Sequence, residues 1–351
     1  MVTIVYGSHP DSAPVLPAEW AWQPDSATVR GMSGSRSDVI VVGGGVIGLT
    51  TALVLAESGR RVGLWTRDPV ARTTSAVAGA LFWPYRIEPA HRVGGWLEES
   101  LRHYEELALT PELTGVRMVT GLMANTPLDG LGSWATKVRG LREARVDELP
   151  EGFGQGLRAT VPLIDMPVHL RYLKTRLRAA GALVERRTVT GFDEPARETD
   201  VVVDCTGLGA RELASDPSVH PVRGQVVIVE NPGIDEWFVG IVPGTVEMTH
   251  VFPQPYGVLL GGTSTDHSWD LGPDAAEAGA IVARCARIRP ELAGARVLEH
   301  RVGLRPARPR VRLEAVPLPG GGRLVHNYGH GGAGVTVAWG CAAEAARLAV
   351  G

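Results

Sequence analysis

Gly43, Gly45 and Gly48 fall in the spacing G-x-G-x-x-G. Glycines so spaced can hold a phosphate with backbone alone. The first permits a tight turn, the second lets the chain approach a pyrophosphate, and the third lets a helix pack closely on a strand. Arg67 and Asp68 stand about 20 residues beyond the last glycine, where an acid that binds a ribose is expected. Thr73, Thr74 and Ser75 then offer hydroxyls and a helix start near the same pyrophosphate. Ala78, Gly79 and Ala80 are small enough for a flat ring to lie against backbone. A second glycine-rich turn, Gly329 to Gly334, would open a helix whose dipole is offered to an electron-rich ring. Plainer readings stand beside these. The first turn also suits an ordinary α/β protein, and residues 73–80 also read as a capped, tightly packed turn.

The elements that must position these groups are legible. Val39 to Val42 is a short apolar run suited to a buried parallel strand, and the helix after it runs from Val46 to Ser58 with Gly59 as its cap. Val46 and Ile47 therefore sit at a helix start whose free N–H groups face the phosphate. Arg61 to Thr66 is the second strand. Residues 91–109 form an amphipathic helix with Trp96, Leu97, Leu101, Tyr104 and Leu107 on one face, which reads as core. Strands are expected at Val116–Met123 and Leu157–Leu163, with residues 124–156 loop-rich between them. A helix over Met166–Ala180 is led in by Asp165 and Pro167. Ala182–Glu185 and Thr188–Thr190 suggest strands. Val201 to Asp204 is a further buried strand, and the run ends in Thr206-Gly207, where a doubly wound sheet returns beside its ligand. Residues 221–262 read as strand and turn throughout. A helix over Pro273–Ile288 and a strand over Arg296–Leu304 lead into the arginine-rich run 305–310.

Composition bounds the function. The 351 residues are 44% hydrophobic and 21% charged, with net charge −3, which gives no reason to expect nucleic acid or an anionic membrane as partner. No apolar run approaches the roughly 20 residues of a spanning helix. Cys205, Cys285 and Cys341 are widely spaced in apolar settings, as buried thiols of a cytoplasmic protein would be, and no metal-ligand spacing appears. A homodimer is compatible with all of this. Residues 1–37, with Pro10, Pro14, Pro17, Pro24, Trp20 and Trp22, read as a non-catalytic N-terminal extension, and Met32 is an alternative start.

Taken together, the motifs resemble the D-amino-acid oxidase family of flavoproteins, which includes the D-aspartate oxidases. The likeness runs from about Asp38 to Leu348. It rests on Val42 to Leu49, Thr73 to Gly79 with Pro84-Tyr85, Cys205 to Gly207, Arg223-Gly-Gln225, Gly303 to Pro309 and His326 to Thr336. It implies tightly held FAD and oxidation of a D-amino acid at Cα. Cα–H would leave as hydride, O2 would reoxidise the flavin to give H2O2, and the imine would hydrolyse to a 2-oxo acid and ammonia. Positioning and desolvation carry such chemistry, so no triad or carboxylate pair is needed.

Residue by residue, the resemblance implies that Arg305 holds the substrate carboxylate as a bidentate pair and that the Gly332 carbonyl accepts from its amine. Arg67 and Asp68 would hold the ribose and adenine end, and Thr73, Thr74 and Ser75 the pyrophosphate. Val189 would line the adenine site through its backbone. Gly329, Gly331, Gly332, Ala333, Gly334, Val335 and Thr336 would face the flavin. His326 and His330 read as structural. The chain departs from the family at the substrate: His250 and Val246 stand where tyrosines are common, and Trp83 where a polar residue often faces the flavin. His250 then donates the missing hydrogen bond, favours an acidic side chain if protonated, or is an exposed loop residue. Glycine, an N-methyl amino acid or a specialised amine is the alternative substrate. The glycine fingerprint alone also suits an NAD-binding or flavin-binding protein without turnover.

The expected architecture is α/β, with a discontinuous Rossmann-like FAD-binding domain (38–90, 151–215 and 305–351). A mainly antiparallel substrate domain (91–150 and 216–304) accompanies it.

Overall fold

The structure is a computed structural model that describes residues 36–318 and 321–351. The expected extension lies outside the described residues except for Arg36 and Ser37. Fourteen strands form one sheet: β1 (Val39–Val42), β2 (Val62–Thr66), β3 (Val116–Ala124), β4 (Arg142–Glu143), β5 (Gly156–Ile164), β6 (Leu183–Arg186), β7 (Val201–Asp204), β8 (His220–Val229), β9 (Trp237–Ile241), β10 (Met248–Gln254), β11 (Gly257–Gly261), β12 (Thr265–Asp266), β13 (Val297–Pro317) and β14 (Arg323–His330). The long helices are α1 (Val46–Glu57), α2 (Ala90–Leu107), α3 (Met166–Ala179), α4 (Ala275–Ile288) and α5 (Gly334–Val350).

One end of the sheet, β14-β7-β1-β2-β6, is parallel throughout. Its central strand is buried at every residue, as a strand covered on both faces must be. The other end, β4-β5-β3-β9-β10-β11-β8, is antiparallel except where β3 meets β9. This is the α/β architecture expected, a Rossmann-like region with a mainly antiparallel partner. The long strand β13 joins the two, pairing with β8 on one side and β14 on the other.

The main core lies among α1, α2, α3, α5 and the sheet. Trp96, Leu97, Leu101, Tyr104 and Leu107 all point into it, so the periodicity of α2 was a core signal. A second core separates the antiparallel strands from α4. Asp165 caps α3 as its sequence suggests, accepting from the Val168 N–H at 3.2 Å.

Three local readings are corrected. Thr188–Thr190 is not a strand, because its only neighbour, β2, ends at Thr66; the last link is Arg187 N–H to the Thr66 carbonyl at 2.9 Å. The strand expected over Val246–Phe252 begins only at Met248, and Val246, outside it, is 86% exposed. The run 305–310 does not end β13 but continues it. Pro309 is tolerated because the ladder with β14 breaks between Ala307 and Arg312, while Pro306 stands opposite Pro221 of β8.

Candidate active site

The phosphate end is built where β1 runs into α1. A Cβ at Gly48 would fall inside the carbonyl of Gly43, and one at Gly43 would strike the carbonyl of Cys205. Gly43 also has φ +119°, a conformation that favours glycine. These contacts lock strand, turn and helix together. Gly45, the N-cap of α1, has no side chain to satisfy the first turn. Ser75 does part of that work, its Oγ accepting from the Val46 N–H at 3.0 Å. The helix therefore opens with its positive end toward the Thr73–Ser75 segment, the arrangement a diphosphate needs.

Arg67 and Asp68 lie at the carboxyl end of β2 and pair with each other at 2.8 Å. Val189 follows β6, its side chain in the core beside Trp65 and Val42. At the end of β7, Thr206 is fixed by Asp204, whose Oδ1 accepts from both its N–H and its hydroxyl. Asp204 Oδ2 also meets His326 Nδ1 at 3.1 Å, so His326 has the structural role expected of it. His330 differs: burial pushes its imidazole down to about 3, and its Nε2 has no partner among the described residues.

The second glycine turn arrives beside the first. β7 lies between β1 and β14, and α5 packs on α1. Thr336, in the first turn of α5, donates its hydroxyl to the Trp83 carbonyl at 3.2 Å. That contact brings the segment through Gly79 and Ala80 against the 329–336 block. Gly79 is held by Phe252, whose ring a Cβ would meet at 2.9 Å.

Arg305 stands on the same face. Its guanidinium lies flat on Gly224 of β8, where a side chain would displace it. Nη1 donates to the Thr263 carbonyl at 3.1 Å, and no carboxylate pairs with it among the described residues. Burial presses its pKa down, which marks a cation in want of an anion. Gly332 is beside it: a Cβ there would sit 3.5 Å from Arg305 Cδ and 3.1 Å from the Tyr85 ring.

His250 is the neighbour on β10. Its imidazole rests against Gly261 and Gly262 and stacks on Phe252 at 4.7 Å. Burial first, then the charges of Arg305 and Arg284, push it down to about 3. It is thus neutral near pH 7, a half-buried wall residue rather than an exposed loop histidine.

Trp83 packs edge-on to Trp134 at 5.3 Å, so an aromatic wall stands where a polar residue was usual. Sequence reasoning gave no role to Gly224, Thr263 or the Gly261–Gly262 pair. They lie across two strands from Arg305, and only the pairing of β8 with β13 and β11 brings them together.

Residues 38–348 match the family model described as FAD dependent oxidoreductase, the DAO family. The chain belongs to this family. FAD is the dinucleotide its cradle takes.

Relatives within curated proteins are close. A D-amino-acid oxidase of Streptomyces coelicolor is 60% identical over 89% of this chain and 96% of its own length. One from Rubrobacter xylanophilus is 47% identical over 91% and 98%. Among solved structures, glycine oxidase from Geobacillus kaustophilus superposes with TM-score 0.75 at 21% identity, covering 90% of this chain and 95% of that one, which shows a shared fold. Among the described residues of this oxidoreductase, no helix is long and apolar enough to cross a membrane.

Proposed function

We propose that this oxidoreductase is a D-amino-acid oxidase, converting a D-amino acid, O2 and water to a 2-oxo acid, ammonia and H2O2. Arg305 is the observation that carries the reading: a half-buried guanidinium without a carboxylate partner, laid on Gly224 beside Gly332. The relatives' identity supports the stereochemical class. When bound, FAD supplies the two-electron acceptor that O2 reoxidises.

The chain's own part is binding and orientation. The opening of α1, with Thr73, Thr74 and Ser75, holds the diphosphate, while Arg67, Asp68 and the Val189 backbone hold the ribose and adenine. Thr206 and Gly207 border the crevice, and the 329–336 block takes the ring. Arg305 grips the substrate carboxylate through both arms of its fork, and the Gly332 carbonyl accepts from the amine. His250 hydrogen-bonds the carboxylate as a neutral imidazole. Phe252 and Trp83 keep water from the reacting carbon.

A neutral His250 attracts no second carboxylate, which supports neutral over acidic side chains. A cytoplasmic location belongs to the same proposal and is supported by three buried free thiols.

Purified enzyme is expected to be yellow and to release H2O2 with D- but not L-amino acids, faster with D-alanine or D-methionine than with D-aspartate. Arg305→Lys should keep its flavin and lose on the order of 100-fold in kcat/KM, since an ammonium cannot reproduce the fork. A broad D-amino-acid panel that leaves the flavin unreduced under anaerobic conditions would sink the reading. Reduction by sarcosine or glycine instead would move the substrate to the alternative class.

A further inference from the structure

We propose that the Tyr85 hydroxyl is a second hydrogen-bond donor to the carboxylate held by Arg305, supplying the phenol this chain lacks at positions 246 and 250. The proposal rests on the reading of Arg305 as carboxylate anchor and adds a residue to it.

Three observations converge on Tyr85. First, its ring and the Arg305 stem flank one backbone point. A Cβ built on Gly332 would lie 3.1 Å from Tyr85 Cδ1 and 3.5 Å from Arg305 Cδ. The amine acceptor, the carboxylate anchor and the phenol ring thus surround one small volume. Second, Tyr85 lies close enough to the Arg305 guanidinium for the two groups to interact electrostatically. Third, the hydroxyl has no hydrogen-bond partner among the described residues, whereas the hydroxyls of Tyr104 and Tyr328 are both taken by protein acceptors.

The ring is also held in place. Gly332 meets one edge, and the Arg86 guanidinium lies 5.4 Å from its centroid. A phenol so fixed, with its O–H unused beside a cation, is preorganised for an anion that arrives there. Phenol and guanidinium can then each donate to the same carboxylate, the phenol adding a charge-assisted bond. Val246 cannot take that role, being an exposed aliphatic side chain.

Benzoate, a carboxylate without an amine, is the probe, titrated against the FAD-loaded enzyme by flavin absorbance. Tyr85→Phe removes one oxygen and keeps the ring. Benzoate Kd and the KM for D-alanine are expected to rise about 10-fold or more, the usual weight of a hydrogen bond to a charged group. kcat should stay within about threefold and flavin content should not change, a split that a structural role would not give. Arg305→Lys runs beside it. If Arg305→Lys weakens benzoate while Tyr85→Phe leaves Kd and KM within about twofold, the Tyr85 assignment is overturned and the anchor stands. If Arg305→Lys leaves benzoate unaffected, the anchor falls and the Tyr85 assignment with it.

Discussion

His330 and His169 are imidazoles that the fold buries in neutral form, His330 down to about 3 and His169 to about 4, burial being the leading cause in each. An unfolded histidine titrates near 6.5. Above that pH both states are neutral and nothing is gained or lost. As pH falls below it, the unfolded chain takes up protons that the native chain refuses, so stability falls with pH until the native values are reached. At pH 5 the loss is about 2 kcal/mol for each histidine, or roughly 4 kcal/mol together. Denaturant unfolding of the flavin-loaded enzyme at pH 7.5 and pH 5 should show it. Equal stabilities at the two values would contradict the burial described. At this scale the resemblance proposed Arg305 and His250 as substrate contacts, and it left His250 among three states. Their resolution came from neighbours distant in the chain, Gly261, Gly262, Phe252 and Arg305, which no local pattern connects.

The β1–turn–α1 unit depends on contacts in which a single methyl group has no room. Gly48→Ala should cost about 3 kcal/mol and leave the purified protein poor in flavin, because its Cβ meets the Gly43 carbonyl and the turn must open. Gly95 offers the contrast. It lies in α2, is exposed, and a Cβ there meets nothing within 4 Å. Gly95→Ala should therefore stabilise by about 0.5–1 kcal/mol with flavin content unchanged. Flavin-to-protein absorbance and denaturant midpoints read both variants. A flavin-replete Gly48→Ala enzyme would overturn the close packing assigned to the turn. Helices and their caps were readable here because apolar spacing and Asp165 act within a few residues. The 21-residue strand β13 was not, since its arginines and prolines mimic a loop. Pairing on both sides makes it a strand.

The proposed cofactor groups come from the parallel end of the sheet, and those for substrate from the antiparallel end and β13. FAD bound across that junction should stabilise the whole chain by mass action, by about 2.7 kcal/mol when free FAD is 100 times its Kd. Thermal unfolding of the apoenzyme should move upward as FAD is added. A Tm that ignores FAD while FAD binds would place the cofactor outside the cooperative fold. The sequence by itself determined the fold class, and its resemblance to a flavoprotein family pointed to FAD and to Arg305 as the proposed anchor. The fold class follows from short-range physics, glycine spacing with strand and helix periodicity. Only the tertiary structure decided what stands around Arg305. It seats the guanidinium on Gly224, brings Tyr85 and Gly332 together, and keeps His250 neutral. Side-chain charge and contact are set by desolvation and by partners across strands, and these exist only once the sheet has closed.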